Sequence, residues 1–176
     1  LLKKVATDLD KDYPFLEEWI ANMWETMYNA KGIGIAAPLI GRSIRLFVVD
    51  STQMEEEDQP FKGIKKVFIN AQKVEESGPI SEYEEGCLSI PDIREDVFRQ
   101  ETVSFEYVDE NFEKHSKTLT GLAARVFQHE YDHLEGILFT DKLSSLKKRI
   151  LKKKLEKISL GRISSSYRMR FPNIKI

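Results

Sequence analysis

Cysteine is nearly absent: the 176 residues hold one, Cys87. A lone thiol cannot close an intrachain disulfide. That fits a reducing, cytoplasmic setting, or a thiol kept for its own chemistry. Long apolar runs are absent too. No stretch approaches the ~20 residues a bilayer-spanning helix needs, and Leu1-Leu2-Lys3-Lys4 lacks the apolar core of a secretory signal. No membrane association is expected. Glycine and proline are sparse, at 9 and 6, and follow no period, which excludes a collagen-like chain. No internal repeat and no linker divides the sequence. Histidine is scarce as well, with three residues, so its placement carries weight.

What is present is ordinary for a globular protein: 41% hydrophobic and 32% charged residues. At ~150 residues per domain the length predicts one domain, able to bury roughly 70% of its unfolded surface without staples. The net charge of −2 hides an asymmetry. Twelve of the 27 Lys and Arg lie from Lys142 onward, where Glu156 is the single acid, so the body carries about −13 and the tail about +11. A tail of that sign suits a polyanion such as RNA or an anionic membrane surface. A solvated basic helix docked on its own acidic body accounts for it equally well.

Residues 13–31 read as a helix, with Asp12 as N-cap, Pro14 in the first turn, an apolar stripe of Leu16, Ile20, Met23, Trp24 and Met27, and Gly32 at the end. Strands are expected at 44–50, 67–70, 103–108 and 112–119, with an acidic surface loop at 55–60. Thr120 caps a second predicted helix over 121–135, stopped by Gly136. A last helix spans 144–160, with Leu146, Ile150, Leu151, Leu155 and Ile158 on one face. Residues 164–176 read as a loose tail. The order predicts an α+β fold, with antiparallel or mixed sheet and a C-terminal helix.

His129-Glu130-Tyr131-Asp132-His133 is the most informative segment. Four helical residues advance ~400°, so the two imidazoles lie ~40° apart around the axis and one turn apart along it. Both can reach one metal ion, and Glu130 on the flank can touch a water there without being a ligand. His115, among Lys114, Ser116 and Lys117, is expected to be solvated. A catalytic metal commonly takes three protein ligands. Glu156, 23 residues past His133, has a spacing that a zinc endopeptidase could use, but it sits in a lysine run. Cys87, in Glu85-Gly86-Cys87-Leu88-Ser89, offers a thiolate. It could also be a small buried hydrophobe, or a nucleophile with a histidine base.

Three segments occur in order: Gly32-Ile33-Gly34-Ile35-Ala36-Ala37-Pro38, then Glu85-Gly86-Cys87-Leu88-Ser89, then Gln128-His129-Glu130-Tyr131-Asp132-His133-Leu134-Glu135-Gly136. Over roughly residues 1–155 the chain resembles the peptide deformylases. The resemblance implies a single catalytic domain over 1–160, followed by the tail 161–176, with the two-histidine helix enclosed by sheet. It implies a metal-dependent hydrolase that removes the formyl group from the formyl-methionine of nascent chains. Cys87, His129 and His133 are then ligands of Fe²⁺, for which Zn²⁺ or Ni²⁺ can substitute, and Glu130 is the general acid/base. The formyl oxygen is met by the metal, the Leu88 backbone N–H and a glutamine of the first motif. Here that glutamine is Leu39, which has no side-chain donor. Losing one such donor typically costs ~10²–10³ in turnover, so weakened activity is expected, or a metal- and peptide-binding protein that turns over little.

Ile33 and Gly34 offer backbone to an extended peptide. Arg94 is a substrate contact by the same resemblance, or simply a salt-bridge partner of Glu95 or Asp96. Ile33, Ile90, Val126, Phe127 and His129 are expected around the methionine side chain. Glu85 is expected to brace the ligands through Arg125 or Gln128. N-formylmethionyl peptides are the expected partner, with the ribosome through the basic helix; DNA is not, and the chain is expected to be a monomer.

Overall fold

Leu46-Phe47-Val48-Val49-Asp50 is buried at every position, and it organises the rest. A strand can be apolar on both sides only if both faces of its sheet are covered. The computed structural model describes residues 1–56 and 61–171. Part of the expected acidic loop, residues 57–60, and the last residues of the expected tail, 172–176, lie outside the described residues.

Five strands form one antiparallel sheet in sequence order: β1 (Gly34–Ala36), β2 (Leu46–Asp50), β3 (Lys65–Cys87), β4 (Ile90–Val108) and β5 (Lys114–Thr120). Three helices accompany it: α1 (Leu16–Asn29), α2 (Gly121–Leu134) and α3 (Ser145–Ser159). The α+β expectation holds, and the sheet is antiparallel rather than mixed. Side chains alternate across the central strands. Leu46, Val48, Val67 and Ile69 join Met23 and Met27 in one core cluster. Phe47, Val49, Phe68 and Phe105 join Phe127, Tyr131 and Leu134 in the other. The second cluster is an aromatic stack. Phe105 and Phe127 lie 3.8 Å apart, and Phe47 lies 4.9 Å from Phe68.

The local readings differ from the structure in instructive ways. Helix α1 starts at Leu16, after Phe15 in the left-handed region at φ 59, so neither Asp12 nor Pro14 opens it. At its other end Lys31 takes the left-handed position (φ 56), and Gly32 N–H closes on the Met27 carbonyl at 2.8 Å. The hairpin of β3 and β4 is far longer than the short strands expected, because the outer half of β3 is mostly exposed and the apolar residues of the outer half of β4 are irregularly spaced. Register shifts along it mark bulges that bend the ribbon.

Thr120 precedes α2 in extended conformation without a side-chain cap bond. Ser144 caps α3, accepting from the Lys147 N–H. Leu151 and Ile158 of α3 are buried with Ile90, Ile93, Val97 and Phe139, and Leu155 packs beside them. Leu146 and Ile150 stand outside this face and are exposed. The segment after α3 is not loose over its described part. Ile163 packs on the same cluster, and the Tyr167 hydroxyl donates to the Leu88 carbonyl at 2.8 Å.

Candidate metal centre

Cys87 ends β3, and the two-residue turn Leu88-Ser89 leads straight into β4. His129 and His133 stand one turn apart on α2, whose packing against the sheet turns them toward that hairpin end. The result is a cluster of one donor atom each from Cys87, His129 and His133, all within 4.8 Å of one another. Cys87 Sγ lies 3.3 Å from His133 Nε2. With Zn–S near 2.3 Å and Zn–N near 2.0–2.1 Å, a tetrahedral edge is ~3.5 Å, so the spacing suits one ion. A thiolate with two imidazoles is a donor set for zinc or iron.

The electrostatics follow from burial and proximity. Burial alone would raise the Cys87 thiol, but His133 and His129 beside it hold it well below its usual value. Burial alone would lower His129, and the hydrogen bonds to Cys87 and Glu85 hold it well above instead. Ser89 Oγ lies 3.1 Å from the same sulfur. His129 Nδ1 donates to Glu85 Oε2 at 3.0 Å, which leaves Nε2 free for the cluster.

Glu130 is 4% exposed, and its Oε2 has no hydrogen-bond partner among the described residues. Burial pushes its carboxyl up to about 7, against the pull of His129 and His133. An orphaned buried carboxylate beside three ligand-type atoms is what a water or substrate atom in the site would satisfy. Gly34 makes room for it. A Cβ there would fall 2.6 Å from Glu130 Oε1, so the cleft admits this carboxylate only because that position has no side chain.

Behind the cluster lies a buried charge network. Burial would raise Glu85, yet Arg99 and His129 hold it far below the usual carboxylate range. Arg99 donates to Glu85 at 2.7 and 2.9 Å and to Asp132 at 2.7 Å. Arg125 adds a bond to Glu85 at 2.9 Å, as the sequence suggested. Gln128 does not; it donates to the Gln100 carbonyl. Arg99 and Asp132 were missed by sequence reasoning. The only available signal was a basic residue at the inward phase of a strand, in Val97-Phe98-Arg99.

A cleft of about 660 Å³ opens over the cluster. Ile33, Gly34, Leu39, Leu88, Ile90 and Arg94 line it, with Val126. Phe127 does not: it is fully buried in the aromatic core, which corrects its expected place in the methionine pocket. Arg94 pairs with Glu84 at 2.6 Å rather than with Glu95 or Asp96. His115 is not simply solvated. It meets Asp109 at 2.7 Å and stacks on Tyr107. Glu156 is absent from the donor groups found among the described residues.

Comparison with known proteins agrees with this geometry. The family model for polypeptide deformylase matches residues 1–149. A peptide deformylase of Christiangramia forsetii is 58% identical, covering 99% of this chain and 93% of that protein. One of Flavobacterium johnsoniae is 53% identical over the same shares. Among solved structures, a Plasmodium falciparum peptide deformylase matches at 34% identity and TM-score 0.80, covering 91% of each chain. One from Legionella pneumophila matches at 37% identity and TM-score 0.77, covering 92% of this chain and 90% of that one.

Proposed function

The chain belongs to the polypeptide deformylase family, and from that premise we propose how its own residues carry out the reaction. It is a hydrolase that removes the formyl group from nascent peptides, and the family is metal-dependent. The reading rests on one observation: Cys87, His129 and His133 converge beside Glu130, whose Oε2 has no partner among the described residues, at a peptide-sized cleft.

Cys87, His129 and His133 hold the ion, Fe²⁺ in the cell, with Zn²⁺ or Ni²⁺ as substitutes. Bound there, a divalent cation supplies Lewis acidity and lowers the pKa of water from 15.7 to about 7. Glu130 takes the proton of the attacking water and returns it to the leaving amine of methionine. Leu88 N–H donates to the formyl oxygen as charge builds on it. Ile33 and Gly34 pair with the extended peptide through their backbone, and Arg94 lines its path. Glu85 fixes the ring of His129, and the Arg99 and Arg125 guanidiniums fix Glu85.

Leu39 supports a second reading. It lines the cleft from the turn Ala37–Ile40 with no donor to offer. The protein then binds metal and formyl-peptide but turns over slowly. Formate release from formyl-Met-Ala-Ser by Ni²⁺-loaded protein separates the two. Leu39→Gln is expected to raise turnover by about 10². Equal rates in both proteins dispose of the argument from Leu39. No formate from either disposes of the catalytic reading.

Residues 1–160 act as one catalytic unit, a monomer working in the cytoplasm. Both faces of its central strands are covered by its own helices, and no described helix is long and apolar enough to cross a membrane. The basic face of α3 docks on ribosomal RNA, where formylated chains emerge.

A further inference from the structure

The cleft has a wall that the reaction above does not use. Past α3, Gly161 turns the chain in the left-handed region at φ 65. Over residues 162–170 exposure then alternates: even-numbered residues are exposed and odd-numbered ones half-buried. The odd-numbered side faces the protein surface, while the chain bends at Ile163, Ser166 and Tyr167 rather than running as a strand. Ile163 anchors that face in the core cluster under α3. Ser164, Ser165, Ser166 and Tyr167 line the cleft itself.

Tyr167 donates its hydroxyl to the Leu88 carbonyl at 2.8 Å, across 79 residues of sequence. Leu88 and Ser89 are the whole connection between β3 and β4, since Cys87 pairs with Ile90. This turn carries much of the site. Its first residue supplies the N–H assigned to the formyl oxygen, and its second places a hydroxyl 3.1 Å from Cys87 Sγ. An error of ~1 Å in a catalytic donor costs up to about a hundredfold in rate. Tyr167 adds a hydrogen bond to this turn from outside the hairpin.

We propose that the C-terminal strap, residues 164–167, is a wall of the peptide cleft. Tyr167 is its positioning residue, holding the Leu88-Ser89 turn so that the Leu88 N–H meets the formyl group. The inference rests on the cleft being the formyl-peptide site. Nothing in the three signature segments encodes it, because the strap begins 28 residues past the last of them, which ends at Gly136.

The test compares full-length wild type, Tyr167→Phe and Tyr167→Ala, each loaded with Ni²⁺. Formyl-Met-Ala-Ser kinetics, metal per chain and calorimetric affinity for the product Met-Ala-Ser are measured on all three. Tyr167→Phe keeps the ring and loses one hydrogen bond. It is expected to lower kcat about three- to tenfold with KM within about twofold and metal unchanged. Tyr167→Ala releases the strap, so KM and the Met-Ala-Ser Kd rise about fivefold or more in addition. Wild-type kcat, KM and Kd in both variants overturn the proposal. So does loss of metal in step with activity, which makes Tyr167 a support of Cys87 alone. If wild type releases no formate, the catalytic reading fails separately. The strap is then upheld by a weakened Met-Ala-Ser affinity in Tyr167→Ala and refuted by an unchanged one.

Discussion

Gly34 and Glu130 occupy each other's space, and much of the site at the residue scale follows from that. The carboxylate is buried, unpartnered among the described residues, and pushed up to about 7, so it is ready to hold a proton near neutral pH. Glu130→Gln keeps the shape and removes the proton transfer. The expected outcome is a 10²–10⁴-fold lower kcat with metal content unchanged, read by formate release and elemental analysis. Cys87→Ser replaces the thiolate with a poor donor and is expected to lose the metal itself; full occupancy in that variant sinks the ligand assignment. The place of Glu130 was legible, because His129 and His133 at helical spacing with Glu130 between them define a geometry without any tertiary knowledge; Cys87 carries no such spacing, and its role came only with the family resemblance. Arg99 was not legible. On β4 the hydrophobic Phe98 is 63% exposed while Arg99 is 5% exposed, so the polarity pattern runs opposite to the burial. Only the carboxylates of Glu85 and Asp132, arriving from β3 and α2, make an inward arginine stable.

At the scale of elements, the network that Arg99 centres ties the β3–β4 hairpin to α2 and so fixes Cys87 relative to both histidines. Removing one partner of a buried ion pair leaves an uncompensated charge, so Arg99→Leu is expected to cost about 3–5 kcal/mol in urea unfolding at pH 7. The pH dependence follows from Glu85. Its pKa falls on folding, so its contribution is present above the unfolded value near 4.5 and is lost as pH drops below that. The gap between wild type and Arg99→Leu should therefore narrow on acidification below about pH 4.5. A gap that stays constant to lower pH shows that Arg99 acts through packing alone. The helices themselves were readable to within a few residues, since apolar period and capping are local. The length of β3 and β4 was not. The outer half of β3 is mostly exposed and is held by pairing with β4, whose own outer half buries Ile90, Ile93 and Val97 under the distant α3, and pairing leaves little trace in either strand's own sequence.

For the whole molecule, the charge is divided: an acidic body of about −13 and a tail of about +11. Helix α3 docks through Leu151, Leu155 and Ile158 and leaves Lys152, Lys153 and Lys154 exposed. If that face meets RNA, ribosome co-sedimentation should weaken steeply with salt, by about 10³ between 50 and 200 mM for some six phosphate contacts. Glu replacements at Lys152, Lys153 and Lys154 should abolish it while leaving small-peptide turnover unchanged. Salt-independent binding, or none at low salt, refutes the RNA contact. The sequence by itself determined one helix and the side chains it presents: two imidazoles one turn apart and a carboxylate on their flank. Those depend on residue type and short spacing, and both are written along the chain. The tertiary structure decided the surroundings. It brought Cys87 to the histidines across some forty residues, buried Arg99 between two carboxylates, gave the cleft its opening past Gly34 and laid Tyr167 against Leu88. Each joins elements distant in sequence, and their contacts form only when burying the two faces of the sheet draws those elements together.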